Sequence, residues 1–399
     1  MAVRILNGDV SELCLGKPEL TCVSASSTIS DALTALRTSG DSQLSVWMCC
    51  AGDIAINNGS CVCVGKFCMA DVILFLCREE NLADPFKALE SPVSDILPNG
   101  SPIVRHLQQN SSLLDAIDSI LEGTQNLVIP IQNHYTTNSR KSFPNRPPPP
   151  STCTHHKDHK YCWLTQEDVV RFLLNSLGAF SPIPTFTIDS LNITDHDIMT
   201  VTYNEPASSA LPYFHRALIE QTSIAVVDEQ NRLIGEISPF ALSCSNETAA
   251  GAITALSAVD LMIYIECARP PEDLVQLVKT RLRERNLVGM VEMIDEFLHA
   301  LAFSSSSSCS SDDESGSSWL RGGSGRNYSA RRSEAIVCGP RSSLVAVMIQ
   351  ALAHRVSCVW VVDEGYSVVG AVTFAGILKV FGNVAGGRHN KSEDNSLKK

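Results

Sequence analysis

The 399-residue chain lacks most of the features that announce a function. No stretch reaches the roughly 18 continuous apolar residues of a membrane helix. The start, Met1 to Lys17, carries Asp9 and Glu12, has no long apolar run and is not rich in Arg and Ser, so it reads as neither signal nor transit peptide. On that reading the protein is soluble and cytoplasmic. Basic charge is also short: 31 Lys and Arg against 43 Asp and Glu leave a formal charge of −12. No run clusters cations as a nucleic-acid surface requires, so neither nucleic acid nor membrane is an expected partner. The signatures GxxxxGK[S/T], GxSxG, HExxH and the kinase HRD are all missing. No catalysis is expected.

What is present is apolar material. Hydrophobic residues make up 44% and charged residues 19% of the chain, a balance that supports packed cores and excludes a mostly disordered protein. The 15 cysteines are an odd number in a chain without a secretory signal, which fits reduced, mostly buried thiols such as Cys61, Cys63 and Cys68.

Self-similarity organises this material. Val226 to Ile237 reads VVDEQNRLIGEI and Val361 to Val372 reads VVDEGYSVVGAV. Each is a hairpin pattern: an apolar strand, a polar turn opening on Asp-Glu, and a second apolar strand containing Gly. A helix-period run precedes each, Ala207 to Gln221 and Ser343 to Val356. The same template finds two looser copies. In the first, Thr21–Ser24 is a strand, Ile29–Leu36 a helix, Leu44–Met48 and Cys61–Phe67 a hairpin, and Ala70–Cys77 a closing helix. In the second these are Ile103–Leu107, Leu113–Leu121, Leu127–Ile131 with Tyr161–Leu164, and Glu167–Leu177. The unit is β-α-β-β-α, four times over, and the fold class is α/β.

Boundaries follow: repeat 1 over 1–80, repeat 2 over 81–180 with a Pro-rich loop at 133–160, and repeat 3 over 181–245. A helical insertion covers 246–303, with helix-period segments at Ser257–Ile265, Pro271–Arg285 and Val288–Leu301. A Ser- and Gly-rich disordered linker follows at 304–334, then repeat 4 over 335–385 and a polar tail over 386–399.

This unit resembles the cystathionine-β-synthase (CBS) domain, whose second hairpin strand runs into Gly-x-x-Ser/Thr-x-x-Asp. Ser11–Pro18 (SELCLGKP), Thr165–Leu173 (TQEDVVRFL) and Ile234–Ser238 (IGEIS) look particularly like the plant CBSX proteins, which consist of CBS repeats alone. The resemblance implies two Bateman modules, each of two repeats around a cleft able to hold an adenosyl ligand such as AMP, ATP or S-adenosylmethionine. It also implies a regulatory role toward a protein partner, a kinase or a thioredoxin-type protein. A homodimer, a kinase γ-like subunit and a ligand-free interaction scaffold stay open beside it.

In the family the Thr of the signature contacts ribose or phosphate and the Asp accepts from both ribose hydroxyls, a charge-assisted bidentate arrangement. Carried over, these are Thr165 and Asp168, with Leu127, Val128, Ile129 and Pro130 as an apolar wall and Asp71 as the corresponding acid of the first repeat. Thr-x-x-Asp before an apolar helix is equally a capping box. The corresponding positions elsewhere are Cys68 with Asp71, Ser238 with Ala241, and Thr373 with Gly376. A capping hydroxyl thus occurs in three copies and the acid in two, both in the first module. Where kinase γ subunits of the family carry a basic pair, this chain has Ser42/Gln43, Leu127/Val128, Thr222/Ser223 and Ser357/Cys358, all uncharged. Arg105, His106 and Arg171 are the nearest substitutes in the second repeat.

Two further clusters stand against plainer readings. Cys153, His155, His156, His159 and Cys162 match no established zinc spacing and read as loop composition, so no metal is expected. Ser310, Ser311 and Ser329 lie in contexts that kinases favour, within a segment that reads first as a solvating linker.

Overall fold

The computed structural model describes residues 1–48, 61–98, 103–131, 160–267, 270–306 and 335–385. Helix α1 (Ala2–Leu6) precedes the first unit, which comprises β1 (Cys22–Ser24), α2 (Ile29–Ser39), β2 (Leu44–Met48), β3 (Val62–Phe67) and α3 (Met69–Leu76). Two short helices, α4 (Glu79–Ala83) and α5 (Pro85–Leu89), lead on to the second. That unit is β4 (Val104–His106), α6 (Leu113–Leu121), β5 (Asn126–Ile131), β6 (Lys160–Thr165) and α7 (Gln166–Asn175). The third is β7 (Thr200–Thr202), α8 (Leu211–Glu220), β8 (Ile224–Val227), β9 (Leu233–Ile237) and α9 (Pro239–Ser243). The insertion supplies α10 (Ala249–Ala255), α11 (Ala258–Glu266), α12 (Glu272–Glu284) and α13 (Val288–Ser306). The fourth unit is β10 (Val337–Cys338), α14 (Leu344–His354), β11 (Cys358–Val362), β12 (Val368–Thr373) and α15 (Phe374–Ala385).

The expected α/β class and its four units are therefore present. Each unit makes one three-stranded sheet, its first strand parallel to the second and the second antiparallel to the third. A parallel pair needs a crossover, and the first helix of each unit provides it. Three of these helices start where a hydroxyl satisfies a free amide: Thr28 accepts from Asp31 N, Ser112 from Asp115 N and Ser343 from Ala346 N. The third unit differs. The helix expected from Ala207 begins only at Leu211, after a 3₁₀ turn over Ala207–Ala210. Pro212 fixes the start, because proline fits the first helical turn and not the interior. Helices α4, α5 and α10 carried too short a periodic signal to be foreseen.

The glycine inside the hairpin has a structural reason. Gly65, Gly235 and Gly370 stand opposite Val46, Val226 and Val361, and in all three sheets the register shifts at the next residue. A bulge bends the strand, and at Gly370 the chain from another repeat crosses: an added Cβ would lie 2.5 Å from Asp195 O. In the second repeat Trp163 faces Val128 and the ladder is regular.

The repeats close a ring through two kinds of junction. Sheets meet sheets where Trp47 and Cys63 pack on Ile103, Val104 and Val128, and where Ala225, Val227 and Leu233 pack on Cys358, Trp360 and Val362. Helices meet helices in two larger cores. One joins repeats 1 and 3 with the insertion, through residues such as Ile73, Leu76, Phe214, Leu261 and Val278. The other joins repeats 2 and 4 and takes in α1, through Leu6, Ile117, Leu173, Val347 and Phe381. Each fully buried side chain of this size contributes about 1.5–3 kcal/mol, so both helix junctions are strongly held.

No disulfide is formed among the described cysteines, and no described helix is long and apolar enough to cross a membrane. Most of the Pro-rich loop and nearly all of the Ser-rich linker lie outside the described residues, as do Cys153, His155, His156, His159, Ser310, Ser311 and Ser329. Cys162 is buried in β6. No group of three or more His, Cys, Asp and Glu among the described residues is placed to hold a metal.

Candidate functional site

The structure puts each signature residue at a helix start. Thr165 caps α7, accepting from Asp168 N at 3.2 Å, while Asp168 Oδ2 accepts from Thr165 N at 2.8 Å and from Thr165 Oγ1 at 2.7 Å. Ser238 and Thr373 cap their helices by accepting from Ala241 N and Gly376 N. Capping is common to these positions. The acid is what distinguishes the first two repeats.

At Asp168 the acid is already engaged. Lys17, from the segment before β1, forms an ion pair with Asp168 Oδ2 and also donates to the Trp163 carbonyl at 2.7 Å. Beneath it the Cys14 thiol and the Cys162 sulfur are hydrogen-bonded, and that bond, with Lys17 nearby, draws the Cys14 pKa down. The expected wall is sealed: Leu127, Val128 and Ile129 are fully buried, Leu127 and Ile129 in the helix core and Val128 in the sheet junction, while Pro130 is half-buried. The substitute cations are spent too. Arg105 pairs with Glu122 and Arg171 with Glu167 on an exposed helix face. His106 Nε2 accepts from Cys63 N at 3.1 Å, beside the rings of Trp47 and Tyr161.

At Asp71 the surroundings are open. Asp71 Oδ2 accepts from Cys68 N at 2.9 Å and the carboxylate is half-buried. Burial raises its pKa, opposed by Lys66 and His215. It lines a depression of about 70 Å³ whose wall comes from three repeats: Lys66 and Arg78 from the first, Ile103 and Gln125 from the second, and His215 from the third. A second depression of about 430 Å³ shares Phe75 and Arg78 with it and carries Asn81, Ser91, Ser94 and Asp95. The larger space is within the range of small-molecule sites.

Gln125 is the informative neighbour. It is 2% exposed, and its amide nitrogen donates to the carbonyls of Leu218 (2.9 Å) and Ile219 (2.8 Å) at the end of α8. Its Oε1 is buried with no hydrogen-bond partner. An unsatisfied buried acceptor costs about 1–3 kcal/mol, so a position beside a depression invites a donor. Lys66, Arg78, His215 and Gln125 were not foreseen from the sequence. They are scattered from residue 66 to residue 215, and only the ring of repeats brings them together.

No protein-family model matches the sequence. Comparison with known proteins is nonetheless direct. The chain is 45% identical over 392 residues to the Arabidopsis thaliana CBS domain-containing protein CBSX5, covering 96% of this chain and 98% of that one. It is 20% identical to the SNF1-related protein kinase regulatory subunit gamma-like PV42b of the same plant, covering 94% and 95%. Among solved structures, a proposed archaeal homolog of g-AMPK from Methanocaldococcus jannaschii superposes with a TM-score of 0.52 at 17% identity, covering 94% of this chain and 99% of that one. That likeness concerns the fold.

Proposed function

The chain belongs to the family of CBS domain-containing proteins, and from that membership we propose that it is a non-catalytic regulatory protein of the plant cytoplasm. It binds one adenosyl ligand and changes its hold on a protein partner when the ligand is bound. The ligand site is centred on Asp71 rather than Asp168. The single observation that carries this is the depression that Asp71 shares with Gln125, whose Oε1 is buried and unpartnered. Two acceptors on one depression, Asp71 and Gln125, suit the two hydroxyls of a ribose. Asp168, by contrast, already accepts from Lys17.

Regulation follows from where the depression lies. Its wall is drawn from repeats 1, 2 and 3, so a ligand that fits one arrangement of those repeats shifts the balance toward it by its differential affinity. The gamma-like relative supports a kinase as the partner, with a thioredoxin-type partner kept in the panel. The competing reading is an interaction scaffold with no ligand, which the closure of Asp168 by Lys17 favours.

Titration calorimetry and thermal unfolding with AMP, ATP, adenosine and S-adenosylmethionine separate the two. A ligand at 100 times its Kd stabilises by about 2.7 kcal/mol. Asp71→Ala abolishes that gain and Asp168→Ala leaves it. A flat melting temperature across the panel supports the scaffold.

A further inference from the structure

The segment ahead of β1 lies along β6 and brings two cysteines together there. Cys14 ends a 3₁₀ turn over Val10–Cys14, and Cys162 lies within β6. The chain after Cys14 is held on either side of Cys162: Lys17 donates to the Trp163 carbonyl at 2.7 Å and Leu20 N donates to the Tyr161 carbonyl at 2.9 Å. The chain before it is held as well. Val10 N donates to the Ser111 carbonyl at 2.9 Å, and Leu6 and Val10 are buried in the core that joins repeats 2 and 4. Between these anchors the Cys14 and Cys162 sulfurs share a hydrogen bond. Cys162 is fully buried and Cys14 is 5% exposed, yet Leu15 next to it is 76% exposed. Gly16 takes a φ of 75° and has nothing within 4 Å of an added Cβ. Cys14 therefore sits at the edge of the packed region, where its turn has room to adjust.

From this arrangement we infer that Cys14 and Cys162 are a modification site: a hydroperoxide converts them into a reversible disulfide, with Cys14 reacting first and Cys162 resolving. The Cys14 thiolate attacks one peroxide oxygen, the O–O bond breaks, and the second oxygen leaves with the thiol's proton. The product is a sulfenic acid on Cys14. The Cys162 sulfur then attacks the Cys14 sulfur, the S–O bond breaks, and the departing hydroxide takes the Cys162 proton as water. Two thiols are oxidised to one disulfide, and hydrogen peroxide is reduced to two waters. Because a mixed disulfide with a thiol opens the bond again, the modification is reversible.

The order of reaction follows from the surroundings, since the thiolate is the nucleophile. The hydrogen bond from Cys162, together with Lys17, holds Cys14 below the ordinary thiol range against the opposing burial and Asp168. Cys162 is pushed the other way and stays protonated until Cys14 has reacted. Burial pushes Cys63, Cys68, Cys77 and Cys358 up to about 12 and Cys338 up to about 11, so those thiols are inert by comparison. The bond also has a mechanical effect. It ties down the segment that carries Lys17, whose ammonium covers Asp168, and it closes a loop that spans the whole of repeat 1. A cross-link over so long a loop restricts the unfolded chain and stabilises the folded one.

The test treats the reduced full chain with a small excess of hydrogen peroxide, blocks the remaining thiols with N-ethylmaleimide under denaturing conditions, and maps the peptides by mass spectrometry. The expected result is a Cys14 peptide joined to a Cys162 peptide, with two hydrogens lost from the intact chain and restored by dithiothreitol. The oxidised chain melts at least about 4 °C higher than the reduced one. In Cys162→Ser the Cys14 sulfenic acid persists and is trapped by dimedone, whereas in Cys14→Ser residue Cys162 stays reduced. If either substitution unfolds the chain, the wild-type peptide map and its melting shift decide. Cys14 and Cys162 both labelled by N-ethylmaleimide when the exposed Cys244 and Cys267 are already oxidised overturns the inference. So does a Cys14 joined to any other cysteine.

Discussion

Lys17 and Asp168 are 151 residues apart and form an ion pair, with the same ammonium donating to the Trp163 carbonyl. The contact pins the segment before β1 against the start of α7 and gives the second signature acid a structural task. Its energetic share is that of a partly buried pair, with side-chain exposures of 20% and 26%. Lys17→Met is expected to destabilise by about 1 kcal/mol. Asp168→Ala costs more, about 1–2 kcal/mol, because it also removes an acceptor from Thr165 N. Urea unfolding of both variants and the double mutant measures the coupling, and additive effects would show that Lys17 and Asp168 do not stabilise each other.

His106 predicts a pH dependence of stability. Burial pushes its pKa below the ordinary 6.5, and its Nε2 accepts from Cys63 N. Protonation would set a second donor against that amide. Below pH 6.5 the unfolded chain takes up the proton before the folded one does, so stability is complete above that pH and falls as the pH drops toward the lowered value. The slope reaches at most about 1.4 kcal/mol per pH unit. His106→Gln keeps an acceptor and loses this part of the slope, which unfolding curves at pH 7.5 and pH 5.5 resolve.

The two tryptophans at the sheet junctions are expected to differ. Trp360 Nε1 donates to the buried Glu236 carboxylate at 2.8 Å, while Trp47 Nε1 donates to the Ser45 hydroxyl at 2.8 Å. Hydrogen bonds to charged acceptors contribute about 1.5–3 kcal/mol and neutral ones about 1 kcal/mol. Trp360→Phe therefore destabilises more than Trp47→Phe, as measured by the urea midpoint at constant slope.

Gly370→Ala is expected to be costly although alanine is small. Its Cβ would sit 2.5 Å from both Asp195 O and Thr194 Cγ2, and the first of these is backbone. Gly65→Ala meets only the Leu97 side chain, at 2.6 Å, which can turn aside. Overpacking costs about 1–3 kcal/mol, and Gly370→Ala falls at the upper end with Gly65→Ala below it. Equal losses in melting temperature would argue against a backbone collision.

Much of the fold is legible in the sequence because the repeat repeats its physics. Alternating apolar strands, a hydroxyl before each of three crossover helices and a glycine in the second hairpin strand are local signals, and the structure returns them as strands, caps and bulges. The candidate site is less legible for the same reason. Thr165 and Asp168 are adjacent and match a signature, so they stand out, yet nothing local shows that Lys17 will reach Asp168. Nor does any spacing connect Asp71 with Gln125 and His215. Those meetings are set by how repeats 1, 2 and 3 pack, and no periodicity within one repeat encodes them. The bounds of α8 erred through Pro212, and α10 was missed because seven buried small or apolar residues show no amphipathic period.

The ring of junctions has a consequence for how the molecule comes apart. Repeats 1 and 2, and repeats 3 and 4, share sheet contacts of modest extent, whereas the two large cores bind repeat 1 to repeat 3 with the insertion, and repeat 2 to repeat 4. The units that melt together are then interleaved along the chain rather than consecutive. A cut near residue 190 yields fragments that match the two Bateman modules on paper, but each bares half of both helix cores. Neither half is a domain in the thermodynamic sense, and a nascent chain completes its first helix core only with the insertion that follows repeat 3, and its second only when the last repeat has been made.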